Sequence, residues 1–491
     1  MDECITETTE RTQPRPSFPK DSKKNPARLA AGRYGTPEMC EIFGDERTFE
    51  YSLHVQGQAA LTLSVLYPHL LPPDAAKEIV EKASLKIINP DTIRGIEAKT
   101  NHDVIAINTS LEQVLSVSAK PHVNQFKTSA DTTVPAKALQ LKRASEVIAE
   151  TTENLRDIVI EKALAWIDVP HMDQTHGYDA LPTVAGRPLV HYAEMLQSGL
   201  EVMKFFYHNS IIGKWADVTG NHHAATSAGA DGIKLQEQYC RDLGIGFMDA
   251  PAQIPGLEFE ADIVYSLVRM GMTVDNLACY FADGRSDDVN LFFYSNPDKR
   301  KGSCGMPHKD AKGGNPIDEE QAVSVANKLM GFLTTAMANC EMPYARTLYA
   351  SANARIDHED NFKFIDHNMR RLAAMIYHME LRQNRSVERV LRSRGFVTSP
   401  QVLTYLTGHP TNPMPWREAH DLLGRVATDA RDTAEMFYDV LMREPAITNR
   451  IEPDRLRDLT DPLKYLGRSK EIVRLIADKY HKKRTFPSHS S

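Results

Sequence analysis

The strongest constraint on this chain is a set of long helical repeats that are apolar on more than one side. Leu189, Tyr192, Leu196, Leu200, Met203 and Tyr207 recur at helical spacing, as do Ile263, Leu267, Met270, Val274, Leu277 and Phe281. Leu141, Ala144, Ile148, Leu155 and Ile158 form a third stripe, and Ala322, Ala326, Leu329, Leu333 and Ala336 a fourth. Such spacings place each set on one face of an α-helix. A helix that is apolar nearly all round has no face to give to solvent. Several of them in one chain predict an all-α bundle closed by further copies of the chain. Strand patterns are few and short.

Breaks in this pattern divide the 491 residues, a length that suits two to four domains or one large elongated unit. Residues 1–26, rich in Thr, Lys, Pro and Glu, read as an extended or disordered segment. The Ser-Ala-Lys-Pro-His-Val-Asn-Gln stretch at 118–125 interrupts the helices and places one boundary near 119–126, and a second boundary lies near 386–400. The expected layout is a helical domain over 27–124, a central long-helix bundle carrying the chemistry over 125–385, and a helical domain over 386–491. In the last, Ala419, Leu423, Val426, Ala430, Ala434, Phe437 and Leu441 keep helical spacing, and the basic tail from Lys479 reads as solvated.

Charge and composition narrow the function. A net charge of −7 argues against a dedicated nucleic-acid binder. The six cysteines are scattered without a CxxC pair, which fits a reduced, cytoplasmic protein. No apolar run approaches the roughly 20 residues of a membrane span, and the first residues contain no apolar signal core. His222-His223 lacks a third ligand at recognisable spacing; no HExxH, P-loop or strand-following GxGxxG is present.

Chemistry concentrates in a glycine-rich loop, Gly302 to Glu320, which sets a hydroxyl (Ser303) and an ammonium (Lys309) ahead of Asn315-Pro316 and a helical pattern. Proline suits the first turn of a helix, whose N-terminus favours negative charge. That combination can handle a carboxylate, although an ordinary connector has the same composition. Elsewhere, His176 lies in Thr175-His176-Gly177, a turn-like segment before a helix, where an imidazole can transfer protons near neutrality. Thr128-Ser129-Ala130-Asp131 offers two hydroxyls that can donate to a carboxylate, or a helix cap. Ser351 and Arg355 are four residues apart, hence on one helical face. On their own, Arg346 and Arg355 read as surface arginines in salt bridges, although a guanidinium is permanently charged and can bond an anion bidentately.

These segments resemble, in order, the motifs of the fumarase/aspartase superfamily. Ser303, Met306, Pro307, Lys309, Asn315, Pro316 and Glu320 match its G-S-S-x-M-P-x-K-x-N-P signature and the glutamate that follows. Thr175 to Thr183 is similar to T-H-G-Q-P-A-x-P-T, and Thr128 to Asp131 to T-S-x-D. Arg33-Tyr34 through Met39, the His102-Asp103-Val104 segment, Gln253, and Arg346 to Ile356 resemble the adenylosuccinate lyase branch. The resemblance implies three helical domains, a tetramer with shared active sites, and a fumarate-releasing C–N lyase needing no metal or organic cofactor. It makes Ser303 the base, His176 the general acid oriented by Glu320, and Lys309 the carboxylate partner. Arg33, Tyr34, Arg346, Ser351 and Arg355 would gather at a nucleotide phosphate, with His102, Asp103, Thr128, Ser129, Gln253 and Asn315 lining the rest. Three departures stand out: Cys304 replaces the second serine, Asp310 to Gly314 lengthen the Lys–Asn spacing by four residues, and Tyr178-Asp179 replaces Gln-Pro. Another succinyl-amine substrate (argininosuccinate, aspartate or a specialised-metabolism amine) and a catalytically silent relative stay open as alternatives.

Overall fold

The computed structural model describes residues 34–295, 304–312 and 314–486. Arg33 and Ser303 lie outside the described residues. The chain enters through α1 (Pro37–Ile42), α2 (Asp45–Leu66), α3 (Pro73–Lys82), α4 (Pro90–Thr100) and α5 (Asp103–Val114). Local sequence starts and stops these helices. The Thr36 hydroxyl caps α1, Asn89 caps α4, and each of these helices has proline in its first turn. Asn101 ends α4 in the left-handed region, at φ 52°, and His102 at once caps α5.

The trunk is α6 (Ala130–Ala165), α7 (Arg187–Asn209), then, after the short α8 (His223–Ser227) and α9 (Gly232–Asp242), α10 (Glu258–Arg285), α11 (Ile317–Asn339) and α12 (Tyr349–Tyr377). α6 packs on α7 and α12, and α10 on α7, α11 and α12. Most of the four apolar stripes face one continuous core that also takes in Leu53 and Leu63 of α2. Each large apolar side chain buried there contributes about 1.5–3 kcal/mol. Met195 and Phe205 of α7, Tyr265 of α10, and Met330 and Met337 of α11 stay exposed on the outside of the trunk. The class is all-α. Among the described residues the sheets are two-stranded: β1 (Pro170–Thr175) antiparallel to β2 (Tyr178–Val184), β3 (Ile212–Gly213) parallel to β4 (Gly246–Phe247), and β5 (Phe292–Tyr294) antiparallel to β6 (Met379–Leu381).

A second core forms from α14 (Ser399–Thr407), α15 (Trp416–Thr433), α16 (Phe437–Leu441), α17 (Pro445–Thr448) and α18 (Pro453–Leu459), which follow α13 (Gln383–Leu391). The stripe expected to run unbroken from Ala419 to Leu441 is interrupted at Ala434, which ends α15 at φ 61° and is exposed. The last helix, α19 (Ser469–Tyr480), returns to the trunk against α6 and α7.

The tail expected to be solvated is docked as far as Phe486. Arg156 donates to the Lys483 carbonyl at 2.6 Å, the Thr485 N–H to Glu153 at 2.5 Å, and Gln197 to the Thr485 hydroxyl at 3.0 Å. Phe486 is buried edge-on to Tyr207. Glu153, Arg156 and Gln197 are buried trunk residues, and polar groups at such depth require partners. The strap supplies several of them.

Candidate active site

The start of α12 builds a cationic corner. Arg346 donates to Gln253 Oε1 at 2.8 Å and to Ser351 Oγ at 3.4 Å, while its Nε is buried without a partner. Burial, and then the neighbouring Arg355, push its pKa below the ordinary arginine value. Arg355 is exposed, one turn beyond Ser351. Two guanidiniums that repel one another beside a serine are poised for an anion. Tyr34 does not join them within one chain: its ring meets Phe364 and His367, about 13 to 18 Å beyond Arg355 along α12 at about 1.5 Å per residue.

Thr128 and Ser129 sit where the chain turns into α6. Their placement comes from Asp131, whose fully buried carboxylate accepts the Thr128 N–H at 2.8 Å, the Ala216 N–H at 3.0 Å and Lys214 Nζ at 2.5 Å. His102, capping α5, accepts the Ile105 N–H on Nδ1, leaving Nε2 3.4 Å from Ser129 Oγ. His102, Asp103, Thr128 and Ser129 are thus brought together across the break at 119–126. The motifs did not single out Lys214 or Lys127. Lys127 adjoins Thr128 and donates to Gln56 at 3.1 Å, and burial lowers its pKa to about 7. The signal for Lys214 was a lone charge inside the apolar run Ile211-Ile212-Gly213-Lys214-Trp215-Ala216.

His176 stands at the exposed tip of the β1–β2 hairpin. Thr175 pairs with Tyr178, and the two linking residues, His176 and Gly177, both have positive φ, 54° and 80°. This is the turn chemistry that fits a tight hairpin. Asp179 ties the hairpin down by accepting from Gln174 at 3.2 Å, Arg389 at 3.0 Å and Arg392 at 3.4 Å. Tyr178 projects outward, 79% exposed.

The glycine-rich loop ends in a 3-10 turn, Pro307–Lys312, closed by the Gly314 N–H on the Lys309 carbonyl at 3.0 Å. Lys309 Nζ donates to Asn315 Oδ1 at 3.0 Å. Asn315 precedes α11, whose first turn holds three acids. Asp318 accepts from Arg371 and Glu319 from Arg285, both buried, whereas Glu320 is exposed. Arg285 also donates to the Gly314 carbonyl at 2.9 Å, pinning the loop to the helix. Among the described residues, no hydrogen bond or ion pair joins the His176 hairpin, the Lys309–Asn315 pair and the Arg346 corner within one chain.

The "Lyase" family model matches residues 32–331, and "Adenylosuccinate lyase C-terminus" matches residues 395–476. Adenylosuccinate lyase of Methanocaldococcus jannaschii is 26% identical over 90% of this chain and 93% of its own length. That of Bacillus subtilis is 27% identical over 87% and 95%. In fold, the chain is similar to a fumarate lyase from Mesorhizobium sp. BNC1, with a TM-score of 0.76 at 18% identity over 91% of this chain and 99% of that one. The 3-carboxy-cis,cis-muconate lactonizing enzyme of Pseudomonas putida gives 0.76 at 19% identity over 92% and 99%. With a lyase match over most of its length and an adenylosuccinate lyase-type C-terminus, the chain belongs to the lyase family of the fumarase/aspartase superfamily.

Proposed function

We propose that the chain is a fumarate-releasing C–N lyase that splits adenylosuccinate into AMP and fumarate, and likewise splits the succinylated aminoimidazole carboxamide ribotide of purine synthesis. The observation that carries the substrate is the Arg346 corner, where Gln253, Ser351 and Arg355 meet a guanidinium with a buried, unpartnered Nε. The names of its adenylosuccinate lyase relatives support the same reading.

The proposed reaction is a general acid–base β-elimination. Ser303, as alkoxide, takes the proton from the succinyl carbon next to a carboxylate. The charge passes to that carboxylate as an aci-carboxylate, held by Lys309, nearby hydroxyls and the start of α11. His176, oriented by Glu320, gives a proton to the departing nitrogen as the C–N bond breaks. Glu320 suits that role because Asp318 and Glu319 are already engaged by arginines. The proposed assembly is a cytoplasmic homotetramer with shared active sites. The exposed apolar side chains of α7, α10 and α11 and the separation of the three site groups within one chain support it.

The test is fumarate release, followed by ultraviolet absorbance, from adenylosuccinate. The wild type is expected to turn it over and Ser303→Ala to lose about a hundredfold or more in kcat. A wild type that leaves adenylosuccinate intact ends the substrate assignment, and a fully active Ser303→Ala ends the assignment of the base. One observation favours a different succinyl-amine: Tyr178 projects its ring to solvent where the superfamily motif has a glutamine.

A further inference from the structure

We infer that the loop from Lys214 to Gly220 is a brace that sets two parts of the substrate site against each other, with Lys214 and Gly220 as positioning residues. The inference rests on the reading of Thr128, Ser129 and Gln253 as substrate-binding groups. At one end of the loop, Lys214 Nζ donates to Asp131 Oδ1 at 2.5 Å and to the Asp217 carbonyl at 2.7 Å. Through Asp131 the same charge holds the Thr128 N–H. Trp215 adds a second tie, donating its indole N–H to the Phe126 carbonyl at 3.2 Å. That connector needs holding, because Phe126 sits in the left-handed region, at φ 60°, which a bulky side chain adopts only when its surroundings impose it.

At the other end, Gly220 has φ 77°, and a Cβ built on it would lie 1.9 Å from the Pro251 carbonyl oxygen. Only glycine lets the two backbones approach so closely. The segment it presses on delivers Gln253, two residues further on, to Arg346. Lys214 also repels Arg346 electrostatically, so the loop lies within reach of the cationic corner itself. One short loop therefore touches the supports of Thr128, Ser129 and Gln253.

Stability alone gives little reason for a lysine here. Lys214 and Asp131 have no exposed side-chain surface, and a buried ion pair can often be replaced by neutral groups of similar shape without loss of stability. Removing one partner alone leaves a bare buried charge, so the informative variant neutralises both. In the full-length enzyme, Lys214→Met combined with Asp131→Asn is expected to melt close to wild type yet to lose about a hundredfold in kcat/KM on adenylosuccinate, the scale of a small misplacement of binding groups. Gly220→Ala, which touches neither residue, is expected to raise KM about tenfold or more. A folded double variant with kcat and KM within about twofold of wild type overturns the inference. If the double variant does not fold, Gly220→Ala decides alone: an unchanged KM overturns the brace. If wild type itself ignores adenylosuccinate, the functional reading fails, and hydrogen exchange then judges the brace. Gly220→Ala must loosen the amides of both 126–131 and 251–254, and loosening of only one segment overturns it.

Discussion

Ending the chain after Lys483 removes the strap, and its cost can be worked from the contacts. Phe486 is 7% exposed, and burying a phenylalanine contributes about 2–3 kcal/mol. The Thr485 and Phe486 N–H groups reach the Glu153 carboxylate at 2.5 and 3.4 Å. Hydrogen bonds to a charged partner contribute about 1.5–3 kcal/mol each, and the longer one belongs at the low end. The Thr485–Gln197 bond adds about 1 kcal/mol. The Arg484 ion pairs add under about 0.5 kcal/mol, because that side chain is 47% exposed. Against a sum of about 7 kcal/mol, ordering three residues costs about 1–2 kcal/mol each. The strap therefore stabilises the trunk by about 2–3 kcal/mol net. Urea unfolding followed by far-ultraviolet circular dichroism should show that loss in the truncated chain. Glu153→Gln, which keeps an acceptor but not its charge, should lose about half as much. An unchanged urea midpoint and slope after truncation would refute the reasoning, because it would mean that the buried carboxylate and Phe486 contribute nothing.

Three further outcomes follow from the same contacts. Burial, and then Arg389, depress the pKa of His171 from 6.5 to about 4. The unfolded chain therefore takes up a proton that the folded chain refuses, so stability is full above pH 6.5 and declines by about 3 kcal/mol as pH falls toward 4. His171→Asn should flatten that part of the urea-midpoint profile, and a profile with the wild-type slope would contradict the assignment. Asp179→Ala frees the hairpin from Arg389 and Arg392 and should lower kcat on adenylosuccinate about tenfold through loss of His176 placement; equal kcat would show that the hairpin holds itself. Arg355→Ala should raise KM for adenylosuccinate about 10–100-fold, and an unchanged KM and kcat would point to a substrate without the phosphate.

Repeats that obey local rules were legible in the sequence, and pairings between distant segments were not. Leu189, Leu196, Leu200 and Met203 lie buried on one face of α7 because a helical period survives any tertiary arrangement. Ala434 shows the limit: its spacing fits the stripe, but a left-handed residue ends the helix there, and apolar periodicity carries no information about φ. The candidate site divides in the same way. His176, Lys309 and Arg346 could be picked out by chemical type and neighbours. Lys214 showed only as a lone charge in an apolar run, because its meaning comes from Asp131, 83 residues earlier in the chain. The docked tail was missed for a related reason. Lys479 to Ser491 is polar enough to be solvated, and it takes buried groups on other helices, Glu153, Arg156 and Gln197, to give its described part, as far as Phe486, somewhere to go.

The 3-10 turn after Lys309 separates length along the chain from distance in space. Lys309 and Asn315 are six positions apart and still touch, and the Gly314 N–H closes the turn on the Lys309 carbonyl. A lysine and an asparagine separated by a single residue could meet no more directly. The insertion thus changes what the loop shows to its surroundings while leaving the pair intact. In this chain the motif is stretched in sequence without the Lys309–Asn315 contact being opened in structure.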